Sequence, residues 1–330
     1  MDTGVDGGAA DRLISFVINS IDPAKFAFVS ASITRAMGGG RFEIVGIHDA
    51  KSMCDGYRRG LAASRGDPVV FCHDDIELLM TDLPARLARH FERFDLIAPV
   101  GTRKLISMNW ASSGSRNLVG AMCGQNAAGQ FGIGYFGGSE RQNDGIVAFE
   151  GVLIAARRRV AESIGWDAET FDDWHGYDTD FSFRAHLAGF RLGVVLDLAI
   201  IHRSEGTFGD GYVRSEAAFN RKHASRLSTG SGVYVVLPVP APTRAEVVAF
   251  FDRADLPKLH RELQLRVDRS TNAAGHRPRA MLLRGAWDPT NVDVREAVVA
   301  PDPPTRNGPC TCGSGLRYKD CCGKATAARR

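Results

Sequence analysis

The 330-residue sequence lacks any run of roughly 20 apolar residues, which is the length that a membrane-spanning helix requires. Its first residues, MDTGVDGGAADR, also lack the basic start and apolar core of a secretory signal. A strong excess of one charge is missing too, because the formal net charge is only +3. We therefore expect a cytoplasmic protein without a membrane span, and the charge does not indicate nucleic-acid binding.

A disulfide framework is also missing from this sequence. Of its seven cysteines, Cys54, Cys72 and Cys123 are scattered, and the other four are crowded near the C-terminus. Scattered cysteines in a cytoplasmic chain are usually reduced and packed. We assign no chemistry to these three.

Short apolar runs alternate with helical patterns in the first half of the chain. Predicted strands cover Leu13–Ile18, Phe42–Ile47, Pro68–Cys72 and Asp95–Val100, and predicted helices begin at Asp22-Pro23 and before Tyr57. This alternation is typical of an open, mostly parallel α/β sheet. Further single strands are predicted over Ile146–Ala156 and Leu192–Ile201.

Two segments show weaker patterns. Residues 101–145 are rich in glycine, serine and asparagine, and we expect a binding loop or partly disordered segment there. After residue 225 the sequence predicts a strand over Val233–Val239, helices over Thr243–Arg253 and Leu256–Val267, and a Pro-rich linker near residues 301–304. We expect domains at 11–225 and 306–325, joined by a helical extension and linker at 226–305.

Polar residues follow two of the predicted strands. His48 and Asp49 come after the second strand, and His73, Asp74 and Asp75 come after the third. Ligands of open α/β sheets bind outside the carboxyl ends of the strands, which favours a functional role. The alternative is that the aspartates only open loops and cap turns, which is common for this residue type.

The segment of residues 171–206 reads FDDWHGYDTDFSFRAHLAGFRLGVVLDLAIIHRSEG. Asp178 and Asp180 fall in the first turn of a predicted helix that ends near Leu187, where the helix dipole favours carboxylates. If these two aspartates are taken by themselves, helix capping is a sufficient explanation for them. It does not account for the nearby His175, or for a buried strand that ends at His202.

The pieces FCHDDIEL, FEGVLIAARRRV, FDDWHGYDTDFSFRAHLAGF and IIHRSEG occur in this order between Leu13 and Gly206. In order and spacing they resemble the nucleotide-sugar glycosyltransferases of the GT-A fold, family 2 type, and most closely the StrF-like branch. The resemblance implies a Rossmann-like GT-A domain. It also implies transfer of a sugar from a nucleotide-diphosphate donor to an acceptor hydroxyl, with inversion.

The resemblance also implies roles for single residues. Asp75 would bind Mn²⁺ or Mg²⁺, Asp74 would reach the donor ribose or the same ion, and His202 would complete the metal shell. Asp178 would be the general base, with Asp180 as its support. Such a metal stabilises the leaving diphosphate while a carboxylate removes the acceptor proton.

Other positions match the family less closely. His48 and Asp49 would lie near the nucleobase of the donor, although a turn role explains Asp49 equally well. The chain has Gly176-Tyr177-Asp178 where many members have Gly-Glu-Asp, and Arg58 where many have Asn.

The C-terminal piece PCTCGSGLRYKDCCG resembles the SEC-C motif, a short zinc-binding tail. Cys310, Cys312, Cys321 and Cys322 would supply four thiolates to a structural Zn²⁺. The alternative is a free-thiol or disulfide-linked tail. If the motif recruits a protein partner, the whole chain is open to a second interpretation, a non-catalytic nucleotide- or glycan-binding protein on a glycosyltransferase scaffold.

Overall fold

The computed structural model describes residues 12–125, 129–204, 209–230 and 232–273, together with Asn307, Arg317 and Asp320. The zinc-ligand cysteines and the Pro-rich linker predicted from the sequence lie outside these residues. Within them, no helix is both long and apolar enough to cross a membrane.

The described residues form fourteen strands and eight α-helices. The strands are β1 (Ile14–Asn19), β2 (Phe42–Ile47), β3 (Val69–Cys72), β4 (Ile76–Leu78), β5 (Leu96–Ala98), β6 (Val100–Thr102), β7 (Leu118–Gln125), β8 (Phe131–Gly137), β9 (Gln142–Asn143), β10 (Ala148–Phe149), β11 (Leu153–Ala156), β12 (Leu192–Val195), β13 (Ile200–His202) and β14 (Leu237–Pro240). The helices are α1 (Pro23–Met37), α2 (Met53–Ala63), α3 (Leu83–Phe91), α4 (Arg158–Ile164), α5 (Tyr177–Leu187), α6 (Asp210–His223), α7 (Arg244–Arg253) and α8 (Leu256–Ala273).

The first sheet has the order β2-β1-β3-β11-β5-β12-β9. Pairs β1–β2, β1–β3 and β5–β12 are parallel, whereas β11 and β9 pair antiparallel with their neighbours. The α/β class is confirmed, but the sheet is mixed rather than mostly parallel. The reason is that no crossover helix precedes β11, whose first residue Leu153 pairs with Cys72 at the carboxyl end of β3.

The second sheet has the order β10-β6-β7-β13-β4, with β8 beside β7 and β14 beside β8. It contains much of the segment 101–145, so the prediction of an irregular loop there was wrong. Strand β8 reads FGIGYFG and is buried along its whole length. Glycine weakens intrinsic strand preference, so this strand depends on pairing with β7 and β14 on its two sides.

Two segments that were predicted as single strands are each divided between the sheets. Residues 146–156 form β10 in the second sheet and β11 in the first, and residues 192–202 form β12 in the first and β13 in the second. The second break contains Asp197, a buried carboxylate that contacts His90 Nε2 at 2.7 Å and an Arg89 guanidinium nitrogen at 2.6 Å.

The helix boundaries follow local signals. At the start of α1, the Asp22 carboxylate accepts hydrogen bonds from the amides of Ala24 and Lys25, and Gly38 ends this helix with φ of 54°. At α7, Thr243 and Glu246 form a reciprocal capping box. These helices and α8 confirm the sequence predictions. The extension predicted after residue 225 also supplies β14, which pairs with β8 and so continues the second sheet.

An aromatic cluster joins α5 to the first sheet. Trp166 stacks on Phe181 of α5 with ring centres 4.1 Å apart, and Phe71 of β3 lies 4.8 Å from Trp166. Tyr57 of α2 contacts both Trp166 and Tyr177, the first residue of α5. Buried aromatic pairs of this kind stabilise a fold beyond their burial alone. They hold the beginning of α5 next to the end of β3.

We predict that Asp197→Ala lowers the free energy of unfolding by about 3 kcal/mol, because His90 then remains buried without its charged partner. Urea denaturation measures this change. Glu162→Ala is the control, since it removes only an exposed pair with Arg158, and should cost under about 1 kcal/mol. Equal losses for the two variants would show that the Asp197 pairs do not stabilise the strand break.

Candidate active site

Strand pairing brings together Asp75 and His202, the two metal ligands predicted from the sequence, and adds His73 to them. His73 follows β3 directly, and Asp75 immediately precedes β4. Strand β13 pairs antiparallel with β4 so that His202 lies opposite Ile76, the residue after Asp75. The imidazole of His202 therefore reaches a carboxylate that is more than a hundred residues away along the chain.

The three side chains form a compact cluster. Asp75 Oδ1 lies 3.3 Å from His202 Nε2 and 3.8 Å from His73 Nδ1, and the two imidazole ring centres are 5.5 Å apart. One donor atom of each residue lies within 4.8 Å of the others. Asp75 Oδ1 is buried and accepts no hydrogen bond from the described residues. A buried carboxylate oxygen without a donor is costly, and a bound cation would satisfy it.

The charges of the cluster depend on one another. Burial lowers the pKa of His73 to about 4, and His202 acts in the same direction. Burial alone would raise the pKa of Asp75, but the adjacent imidazoles hold it well below its usual value. The pKa of His202 is raised, because the attraction of the Asp75 carboxylate outweighs burial.

The donor set fits a divalent transition metal. Two imidazoles and one carboxylate combine nitrogen and oxygen ligands, a set that transition metals accept more readily than Mg²⁺, which prefers oxygen ligands alone. His73 was not assigned as a ligand from the sequence. Its position two residues before Asp75, directly after a buried strand, is a signal for a ligand on the same side of the chain as that carboxylate.

The four residues predicted to bind the donor are not all close together. Asp75 lies in the metal cluster. Asp74 accepts a hydrogen bond from the Ser20 hydroxyl at 2.7 Å, and His48 Nδ1 lies 2.7 Å from the carbonyl oxygen of the same serine. Asp49 instead pairs with Arg59 at 2.6 Å, and its side chain is 76% exposed.

Asp178 is the second residue of α5 and is half-buried. A Cβ atom added to Gly151 would lie only 2.8 Å from Asp178 Oδ2, so the glycine permits this approach. Burial and the nearby Glu150 carboxylate raise the pKa of Asp178 to about 7, against the opposing effect of backbone amides. A carboxylate with this pKa is suited to accept a proton near neutral pH.

Asp180 has different surroundings. Its carboxylate is almost fully buried and contacts Arg184 at 2.7 Å, Lys222 at 2.6 Å and His223 at 2.8 Å. These partners lie on α5 itself and at the end of α6. The contacts join the two helices, and they leave the carboxylate fully engaged.

Two further residues near the site were missed. Glu150 follows β10 and accepts a hydrogen bond from the Val152 amide, and burial raises its pKa. Tyr177 is buried, with its hydroxyl 2.6 Å from His73 Nε2. The signal for Glu150 was the matched piece FEGVLIAARRRV, in which it is the acidic residue. No signal in the sequence indicated the contact of Tyr177.

This arrangement defines an α/β protein with a candidate metal and carboxylate site at the carboxyl ends of its strands. The model of the Glycosyltransferase like family matches residues 15–222, more than half of the chain, and the SEC-C motif matches residues 306–324. The chain belongs to the glycosyltransferase-like family and has a SEC-C motif near its C-terminus.

Similar solved structures are distant. A mannosyltransferase from Pyrobaculum calidifontis, PcManGT, in complex with GDP-Man and Mn²⁺ is 11% identical, with a TM-score of 0.39 over 81% of this chain and 76% of the other. S. aureus TarS 1–349 in complex with UDP is 11% identical, with a TM-score of 0.40 over 72% of this chain and 70% of the other.

The similar curated proteins share only a short segment with this chain. The protein translocase subunit SecA of Halothermothrix orenii is 48% identical over 46 residues, which are 14% of this chain and 5% of that protein. SecA of Chlorobium phaeobacteroides is 55% identical over 31 residues, which are 9% of this chain and 3% of that protein. The chain thus spans about a twentieth or less of these relatives.

We predict that Asp178→Asn makes stability less dependent on pH. The folded-state pKa of Asp178 is about 7, above the value of 3.8 for an unperturbed Asp, so the wild type loses stability as pH rises from about 4 to 7. The variant has no carboxylate to ionise at this position. Between pH 4.5 and pH 8, its free energy of unfolding should therefore rise relative to that of the wild type by on the order of 3 kcal/mol.

Urea denaturation at pH 4.5, near the acid end of this window, and at pH 8, above it, measures the effect in the presence of a chelator. Asp172→Asn is the control, because Asp172 is exposed in the loop before α5. A stability difference between wild type and Asp178→Asn that is the same at both pH values would contradict the burial argument.

Proposed function

We propose that this protein is a metal-dependent, inverting glycosyltransferase that moves a sugar from a nucleoside-diphosphate sugar to an acceptor hydroxyl. The observation that carries the proposal is the cluster of His73, Asp75 and His202, in which the buried Asp75 Oδ1 lies 3.3 Å from His202 Nε2 but accepts no well-formed hydrogen bond from the described residues. Family membership supports the transferase class. The cluster adds a place for a cation beside a carboxylate of raised pKa.

His73, Asp75 and His202 would hold the metal. A divalent cation bound there supplies positive charge that stabilises the leaving diphosphate. His73 is suited to this task because its lowered pKa keeps the imidazole neutral and able to donate a lone pair. Asp75 remains ionised across the physiological range, because its pKa is lowered.

The donor's nucleoside would bind beside the metal, at the ends of β1 and β2. The Ser20 hydroxyl donates to Asp74 Oδ2. Because a carboxylate can accept several hydrogen bonds, Asp74 can also accept from the ribose hydroxyls of a donor. His48 is held through Nδ1 by the Ser20 carbonyl oxygen, and its ring packs edge-on against Phe26. We propose that Asp74 and His48 contact the donor, and that Asp49 supports the nearby surface through Arg59.

Asp178 would act as the general base. Its carboxylate accepts the proton of the acceptor hydroxyl while that oxygen attacks the sugar carbon from the face opposite the diphosphate. Because burial and Glu150 raise its pKa to about 7, it is a stronger base than an ordinary carboxylate. Asp180 would support it by fixing α5 to α6 through Arg184, Lys222 and His223, without touching the substrate.

The C-terminal motif would form a separate zinc module. We propose that Cys310, Cys312, Cys321 and Cys322 hold one structural Zn²⁺, because four thiolates form a closed tetrahedral site. The SEC-C match favours this assignment and also a second candidate function. In that alternative the chain binds a nucleotide or glycan without turnover, and the tail recruits a protein partner.

We predict that binding of a nucleoside diphosphate depends on metal and on Asp75. A panel of nucleoside diphosphates is titrated by calorimetry with Mn²⁺ and then with a chelator, and the best ligand should bind at least ~10-fold more tightly with Mn²⁺. Asp75→Ala should abolish this difference. Glu262→Ala, which removes an exposed pair with Arg266 on α8, should behave as wild type. Equal binding by wild type with and without metal would reject the metal site.

We predict that Asp178→Asn lowers sugar transfer by on the order of 10²-fold while leaving donor affinity nearly unchanged, because an amide cannot accept the proton. Release of nucleoside diphosphate from a panel of nucleotide sugars, with simple glycosides as acceptors, measures transfer. Asp172→Asn is again the control. Transfer at the wild-type rate by Asp178→Asn would remove the base assignment, and binding without turnover by wild type would favour the second candidate.

A further inference from the structure

Tyr177 connects the metal cluster to the helix that carries Asp178. It is the first residue of α5, it is 4% exposed, and its ring packs against Tyr57 and Trp166. Its hydroxyl lies 2.6 Å from His73 Nε2 and donates to the carbonyl oxygen of Gly151 at 3.3 Å. The hydroxyl therefore lies between His73, a ligand of the proposed metal, and the turn at Gly151 that contacts Asp178.

The direction in which the Tyr177 hydroxyl donates its single proton determines the tautomer of His73. When Tyr177 donates to the Gly151 carbonyl, its oxygen accepts from His73 Nε2, so the imidazole proton lies on Nε2 and Nδ1 keeps its lone pair. With the proton on Nδ1, it would face Asp75 Oδ1 at 3.8 Å, which is too long for a hydrogen bond. The first arrangement makes two hydrogen bonds, from His73 Nε2 to Tyr177 and from Tyr177 to Gly151, whereas the second makes one.

In this arrangement two lone-pair atoms face each other. His73 Nδ1 and Asp75 Oδ1 both accept, and the polar neighbour of Asp75 Oδ1 on the other side is His202 Nε2 at 3.3 Å, a contact too poorly aligned to count as a hydrogen bond. Two half-buried acceptors in proximity repel, and a cation bound between them would remove this repulsion. Metal-bound histidines commonly have their second nitrogen fixed by a hydrogen-bonding partner, which sets the tautomer and raises metal affinity.

Gly151 links the same contact to Asp178. A Cβ atom at Gly151 would lie 2.4 Å from the Tyr177 hydroxyl and 2.8 Å from Asp178 Oδ2. The two neighbouring residues of α5 therefore pack against one backbone position. A shift of α5 that moved Asp178 would also move the partner of His73.

We propose that Tyr177 is a positioning residue that holds His73 as the Nε2-protonated tautomer, with Nδ1 directed at the metal position beside Asp75. The proposal rests on the metal-dependent function proposed above. It assigns to Tyr177 a structural contribution to metal affinity, in the position where many members of the resembled family have an acidic residue.

The test compares Tyr177→Phe with Tyr57→Phe. Both variants keep an aromatic ring in the same buried cluster, but the Tyr57 hydroxyl has no hydrogen-bond partner among the described residues. Mn²⁺ dissociation constants are measured by electron paramagnetic resonance without nucleotide. Tyr177→Phe should weaken binding by about 10-fold or more, whereas Tyr57→Phe should match wild type.

A second readout separates positioning from loss of stability. Histidine ¹⁵N chemical shifts, assigned with a His73→Gln variant, should show Nε2 protonation of His73 in wild type and in Tyr57→Phe, and a mixture of tautomers in Tyr177→Phe. Unchanged Mn²⁺ affinity in Tyr177→Phe, or protonation at Nδ1 in wild type, would overturn the proposal. Absence of Mn²⁺ binding by wild type would instead overturn the metal site on which the proposal rests.

Discussion

The antiparallel pairing of β4 with β13 is the contact on which the candidate site depends. It places His202 opposite Ile76 and so brings an imidazole to the Asp75 carboxylate. The break at Asp197 makes this pairing possible, because β12 ends in the first sheet and β13 begins in the second. The contacts of Asp197 with His90 and Arg89 thus support the site from a distance.

A second constraint fixes the other half of the site. The helix α5 is held on one side by the aromatic cluster around Trp166 and on the other by the ion pairs of Asp180 with α6. Its first turn can therefore place Asp178 and Tyr177 against Gly151. Because both contacts are buried, the position of the carboxylate is set by the core rather than by a surface loop.

The charge distribution gives these contacts a chemical consequence. Burial raises the pKa of both Glu150 and Asp178. The Asp75 carboxylate adds to the shift at Glu150, and the Glu150 carboxylate adds to the shift at Asp178. His202 is the group in the cluster whose pKa is raised toward the charged form. A region with several half-buried carboxylates favours a bound cation. The proposed metal and the raised pKa of Asp178 have this common origin.

The sequence by itself determined the α/β class, the boundaries of α1, α5 and α7, and the order of the family motifs, because caps and apolar periodicity are local signals. It also placed Asp75 and His202 at strand ends. Tertiary structure alone decided the mixed strand directions, the glycine-rich strand β8, and the divided strands at residues 146–156 and 192–202. It alone showed that His73 joins the metal cluster and that Tyr177 contacts His73. These features depend on pairing and contacts between distant segments, which a local pattern does not record.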